Sequence, residues 1–92
     1  MKTEQIQAAL ENVQAADRVV QKMHADAGFS PAESLKMRIK IAKKDLAAVT
    51  RHERKTEPYR SQWQERVEAY KQQVATLQQQ QNIVDDDEGY QQ

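Results

Sequence analysis

The sequence is poor in residues that cross-link chains, end helices or build β-sheets. Its 92 residues include no cysteine, two glycines, two prolines, one phenylalanine and one tryptophan. The absence of cysteine excludes disulfides and thiol catalysis, so side-chain contacts alone must hold the fold. Chains of this length rarely support two independent cores, which excludes a multidomain enzyme.

The sequence also lacks a net charge and a long apolar run. It has 14 basic and 14 acidic residues, and its longest uninterrupted apolar run is 46–49. This pattern predicts neither a membrane span nor a signal peptide, so we expect a cytoplasmic protein without a membrane partner. Alanine, glutamine, glutamate and lysine dominate what remains, which is typical of an all-α protein.

Apolar residues recur every three or four positions over residues 3–27, which predicts a first helix. These residues are Ile6, Ala9, Leu10, Val13, Ala16, Val20, Met23 and Ala27. Gly28 is the usual residue just beyond a helix end. Ser30, Pro31 and Glu33 then form a helix start with a capping box. Because the end and the start lie so close together, we predict an antiparallel helical hairpin.

The next two segments share a heptad pattern of apolar residues. A second helix is predicted over residues 31–57, with Leu35, Ile39, Ala42, Leu46 and Val49 as its seam. A third is predicted over residues 59–82, with Trp63, Val67, Tyr70, Val74 and Leu77 as its seam.

Pro58 leaves two architectures open, because proline breaks or kinks a helix. A break gives a three-helix bundle. A kink gives one helix about 75 Å long whose second half needs another chain, as in a coiled-coil dimer. Either form is small enough to be marginal alone, so we expect a homodimer.

The C-terminal residues 83–92 are acidic and predict a disordered tail, which leaves residues 1–82 as a single helical domain. The balanced net charge therefore hides a segregation along the chain. Residues 31–60 have nine basic and four acidic groups, whereas residues 61–92 have two basic and six acidic groups.

Basic residues lie opposite the apolar seam of the second helix and form a candidate stripe for an anionic partner. The stripe consists of Lys36, Lys40, Lys43, Lys44, Arg51, Arg54 and Lys55. Such a stripe solvates the outer face of a core helix, or it follows a phosphate backbone, an anionic lipid surface or an acidic protein groove. Nucleic acid is the weaker interpretation, because no aromatic residues are interleaved among these basic ones.

Aromatic residues concentrate on one side of the third helix, and tryptophan and tyrosine often anchor protein interfaces. The candidate partner interface consists of Tyr59, Trp63, Val67, Tyr70, Val74 and Leu77. The alternative is that Trp63 and Tyr70 form the bulky core of a three-helix bundle.

The sequence contains no catalytic, metal-binding or phosphate-binding motif. The two histidines, His24 and His52, lie far apart in the predicted hairpin, so we expect no metal, no cofactor and no enzymatic activity. The prediction is a non-enzymatic helical protein–protein interaction module, acting as an accessory, scaffolding or inhibitor protein of a bacterium or phage. Its partner would be a second copy of the chain or a larger host protein. The alternative is a nucleic-acid-binding accessory protein that uses the basic stripe.

Overall fold

The computed structural model describes the backbone of residues 3–90 and the side chains of residues 3–84. Three helices follow one another: α1 (Thr3–Asp26), α2 (Pro31–Arg51) and α3 (Tyr59–Tyr90). They pack together as a three-helix bundle, and the described part of the chain contains no strand. The all-α prediction is therefore confirmed in its bundle form. The single kinked helix is wrong, because α2 ends seven residues before Pro58.

The turn between α1 and α2 follows the predicted signals. Gly28 has a φ of 92°, a left-handed conformation that favours glycine. Its N–H donates to the carbonyl of Ala25, and the Phe29 N–H donates to the carbonyl of His24, both at 3.0 Å. The Phe29 ring then meets the His24 ring edge-on at 5.8 Å. These contacts form a Schellman motif, which satisfies carbonyls left free at the end of α1.

The start of α2 is closed by the predicted capping box. The Ser30 hydroxyl accepts a hydrogen bond from the Glu33 N–H at 3.1 Å, and the Ser30 N–H donates to the Glu33 carboxylate at 3.2 Å. Pro31 occupies the first turn, where its missing N–H costs nothing. The hydrogen bonds with Ser30 favour the ionised carboxylate and hold the pKa of Glu33 below its ordinary value of 4.5.

Helix α2 ends earlier than residue 57, its predicted end. The His52 N–H donates to the carbonyl of Ala48 at 3.2 Å and closes the helix just after Arg51. The seam positions that would follow, Glu53 and Thr56, are polar. A longer helix would therefore have had no apolar face to bury there, and burial supplies most of a helix's stability.

Helix α3 continues past its predicted end at Asn82 to Tyr90, so residues 83–90 belong to the helix instead of a separate tail. Val84 explains part of this extension, because it packs against the core and gives the last turns something to bury. The glutamines that precede it are also good helix formers. Gln91 and Gln92, the end of the predicted tail, lie outside the described residues.

The core lies mainly between α2 and α3. Its buried apolar side chains are Leu10, Leu35, Ile39, Ala42, Ala69 and Leu77. Leu77 packs on the α2 seam with Val74 and Val84 at the edge of the cluster. Helix α3 contacts both other helices extensively, whereas α1 and α2 contact each other less.

The apolar face predicted for α1 is only partly covered. Leu10 is buried, while Ile6, Ala9, Val13 and Val20 are half-buried and Ala16, Met23 and Ala27 are exposed. The covered edge of α1 also bears Asp17 and His24, which are half-buried. Because one residue turns a helix by about 100°, Ala16 stands roughly a quarter-turn away from Asp17.

Candidate functional site

A buried polar network joins α1 to α2. Arg38 is 7% exposed and donates to the Asp17 carboxylate at 2.7 Å. Its Nε donates to the Ser34 hydroxyl at 3.3 Å, and that hydroxyl lies 2.9 Å from His24 Nδ1. The pairs Asp17–Arg38 and His24–Ser34 place the two helices antiparallel, as predicted. Every member of the network has a partner, so it fixes α1 on α2 without stranding a buried charge.

Arg38 is not among the residues predicted from the sequence, although a signal for it exists. Arg38 follows Leu35 by three residues and precedes Ala42 by four, so it lies on the buried face of α2. A basic residue at such a position needs an acidic partner. Asp17, on the predicted apolar side of α1, was the available partner.

An apolar groove of about 190 Å³ lies between α1 and α2, where these helices diverge. We call it the α1–α2 groove; it is lined by Val13, Ala16, Asp17, Val20, Arg38, Ile41, Ala42, Asp45, Tyr70 and Gln73. Ile41 at its edge is 43% exposed. On α1, Val19 is 61% exposed and Met23 is 63% exposed. We call Ala16, Val19, Val20 and Met23 the α1 apolar face.

The predicted interface on α3 is divided by the structure. Leu77 is 3% exposed and belongs to the chain's own core, and Val74 packs against that core. The interface prediction is therefore corrected at its C-terminal end: the bundle already covers these two side chains. Val67 is half-buried, and Tyr70 lines the α1–α2 groove.

The seven residues of the predicted basic stripe are all exposed. Five of them lie on α2, but Arg54 and Lys55 lie in the connection to α3, so the stripe is not one helical face throughout. None of the seven forms a salt bridge with a residue whose side chain is described. Their charges therefore face solvent.

Residues of the predicted basic stripe and of the predicted partner interface lie close together at the start of α3. The guanidinium groups of Arg54 and Arg66 lie 5.5 and 5.1 Å from the centroid of the Trp63 ring. They border an open cleft of about 420 Å³ lined by Arg54, Thr56, Tyr59, Gln62, Trp63 and Arg66, which we call the arginine–tryptophan cleft. Arg66 is not among the residues predicted from the sequence. Its signal is the three-residue spacing from Trp63, which makes them neighbours on a helix.

The described residues include no cluster of three histidine, aspartate or glutamate side chains that could hold a metal ion. Among the helices of the described range, none is both long enough and apolar enough to cross a membrane. Comparison with protein-family models, curated proteins and solved structures finds no match to this chain. The candidate sites therefore depend on geometry alone.

Proposed function

We propose that the chain is a non-enzymatic helical interaction module that associates with a second copy of itself through the α1 apolar face. The observation that carries the proposal is the exposure of Val19 and Met23, at 61% and 63%, beside an apolar groove. Apolar side chains grouped on one helix face mark an interaction surface more often than apolar residues scattered singly.

A second copy fits this surface because the chain carries both halves of a helix-in-groove contact. Val19 and Met23 project from α1, whereas Val20, Ile41 and Ala42 line the groove between the helices. A two-fold axis brings the same patch of both copies together, so each copy supplies projections to the other's groove.

The small core of the single chain also favours association. No large side chain among the described residues is fully buried. Fully burying one valine or methionine side chain contributes about 1.5–3 kcal/mol, and a two-fold interface buries each such residue twice. A dimer therefore removes exposed apolar surface that the bundle leaves uncovered. Location in the cytoplasm and a role as an accessory, scaffolding or inhibitor protein stay predictions.

Sedimentation equilibrium of the full chain tests the proposal. We expect a dimer at micromolar concentration that the double variant Val19→Glu/Met23→Glu converts to a monomer, because four new charges would have to be buried in the interface. The control is Ile83→Glu, which places one glutamate on an exposed apolar residue of α3, 56% accessible in the bundle. The control should remain a dimer.

Circular dichroism of each variant should show unchanged helix content, because all three altered positions are exposed. A wild-type chain that sediments as a monomer at about 100 μM has a dissociation constant too weak for the proposed dimer. Loss of the dimer in Ile83→Glu alone would move the interface to α3.

A further inference from the structure

The indole of Trp63 has a fixed position at the junction of α2 and α3. Its Nε1–H donates to the carbonyl of Val49 at 2.6 Å. Val49 lies in the last turn of α2, where backbone carbonyls have no partner within the helix. The hydrogen bond therefore closes the end of α2 and holds the ring at the wall of the cleft.

Two guanidinium groups are held near that ring while their polar edges remain in solvent. Arg54 comes from the connection and Arg66 from the next turn of α3, and both are exposed. A guanidinium that stacks on an aromatic ring keeps its N–H groups free to bind a phosphate or carboxylate with two parallel hydrogen bonds. The ring thus positions two guanidinium groups at one cleft, where each can bind an anion.

The acidic residues of the connection do not neutralise this cleft. Glu57 accepts hydrogen bonds from Ser61 Oγ at 2.7 Å and Arg60 Nε at 3.1 Å, so it is engaged within the first turn of α3. Glu53 lines a different depression, together with Val67 and other residues of α3. None of the residues that line the arginine–tryptophan cleft is acidic.

We propose that the arginine–tryptophan cleft binds a nucleotide unit of single-stranded nucleic acid, with phosphate on Arg54 and Arg66 and a base stacked on Tyr59. The Tyr59 side chain is 61% exposed, which leaves an aromatic face for a base. A cleft of about 420 Å³ falls within the usual size range of small-ligand pockets and exceeds the space that one carboxylate needs.

Exposed basic residues also lie along α2, the helix that ends at the cleft, which favours a polymer of phosphates over a single acidic side chain. Arg51 ends the helix, and Lys44 and Lys40 precede it by two and three turns. This combination of a stacking platform with a track of basic groups is the usual design of single-strand binding surfaces. The proposal does not depend on dimerisation, because the cleft and the α1 apolar face share no residue.

The test is a titration of the full chain with a fluorescein-labelled oligothymidylate of about 10 nucleotides, at several salt concentrations. Anisotropy reports binding, and the emission of Trp63, the one tryptophan of the chain, reports whether the cleft is occupied. We expect both signals to give the same dissociation constant. The tryptophan signal needs no variant, so it stays informative whatever a substitution does to folding.

Two sets of variants locate the site. Arg54→Gln/Arg66→Gln should weaken binding at least about tenfold and lower the salt slope by up to about two. Tyr59→Ala should weaken oligothymidylate binding at least about fivefold and leave binding of inorganic triphosphate unchanged, because only the oligonucleotide stacks. The matched control, Arg18→Gln/Lys22→Gln, removes the same charge from exposed residues of α1 and should change the dissociation constant less than about twofold.

Three results would overturn the proposal. The first is no binding at about 50 mM salt, where phosphate contacts are strong. The second is binding that leaves Trp63 emission unchanged and responds equally to the cleft and control variants, which would place the contact elsewhere. The third is equal affinity for oligoaspartate with no effect of Tyr59→Ala, which would make the cleft a site for an acidic protein segment.

Discussion

Helices α1 and α2 have similar apolar periodicity, but the bundle covers their apolar stripes to different extents. The seam of α2 lies in the core, where Leu35 is 5% exposed and Ile39 is 6% exposed. The apolar stripe of α1 is covered along one edge, where Leu10 is buried, whereas Met23 at its outer edge is 63% exposed. Periodicity thus identifies residues that share a face, but the neighbouring side chains decide where that face points.

The ion pair of Arg38 and Asp17 lies beside the uncovered part of α1. Arg38 is buried on the inner face of α2 and requires a carboxylate nearby, because an unpaired buried charge is costly. Asp17 pairs with it at 2.7 Å, which places the Asp17 edge of α1 against α2. Ala16 and Met23, about 100° or more around the helix, lie outside that contact. They belong to the surface that we propose for self-association.

The largest expected effect on the free energy of unfolding comes from comparing a core residue, Leu77, with a residue of the α1 apolar face, Met23. Leu77→Ala should lower the free energy of unfolding by about 2–4 kcal/mol, because it leaves a cavity against the α2 seam. Met23→Ala, its matched substitution on the α1 apolar face, should change that free energy by less than about 0.5 kcal/mol. Urea unfolding of both variants, at a protein concentration where sedimentation shows a monomer, measures the two losses. Equal losses would show that the α1 face is buried in solution.

An intermediate effect tests the ion pair. Arg38→Ala should lower the free energy of unfolding by about 2–3 kcal/mol, because it leaves the Asp17 carboxylate, 17% exposed, without its partner. Arg38→Met/Asp17→Leu should recover most of that loss, since apolar pairs replace buried ion pairs well. Urea unfolding of Arg38→Met, Asp17→Leu and the double variant gives the coupling between the two positions. Additive losses would contradict a role of the pair in orienting α1.

The smallest effect concerns the start of α2, which local interactions determine. Because the folded pKa of Glu33 is lowered, its ionised form stabilises the fold above its ordinary pKa of 4.5, and that contribution is lost as the pH falls through the folded pKa. Glu33→Gln keeps a capping acceptor but not the charge. Its urea midpoint should lie slightly below that of the wild type at about pH 7, and the gap should close in acid. A difference in urea midpoint that is the same at every pH would show that the ionised carboxylate of Glu33 is not its cause.

The helix ends that depend on local signals could be predicted from the sequence, whereas the helix ends that depend on packing could not. Gly28 and Ser30 determine the first turn through their own backbone geometry and hydrogen bonds, so the α1–α2 hairpin follows from a few adjacent residues. The end of α2 at Arg51 depends on Glu53 and Thr56, because these polar residues would give a longer helix no apolar face to bury. The end of α3 at Tyr90 depends in part on Val84 finding the core formed by Leu35 and Leu77.

The candidate sites also combine features that the sequence could predict with features that it could not. All seven basic residues are exposed as a stripe opposite an apolar seam implies, and Tyr59 and Trp63 lie at a surface cleft. The sequence could not show that Arg54 joins Arg66 at the Trp63 ring, because Arg54 comes from a connection whose position relative to α3 depends on where α2 ends. Trp63 therefore lies beside Arg54 of the basic stripe, although no aromatic residue is interleaved among the stripe residues in the sequence.

The sequence by itself determined the helices, the first turn and the absence of any disulfide, because these depend on residue types and on contacts within one or two turns. Only the tertiary structure decided which face of α1 turns inward, which seam residues remain exposed and which charges gather around Trp63. These outcomes depend on interactions between residues distant in sequence. The Asp17–Arg38 ion pair, for example, joins two helices through residues 21 positions apart in the sequence.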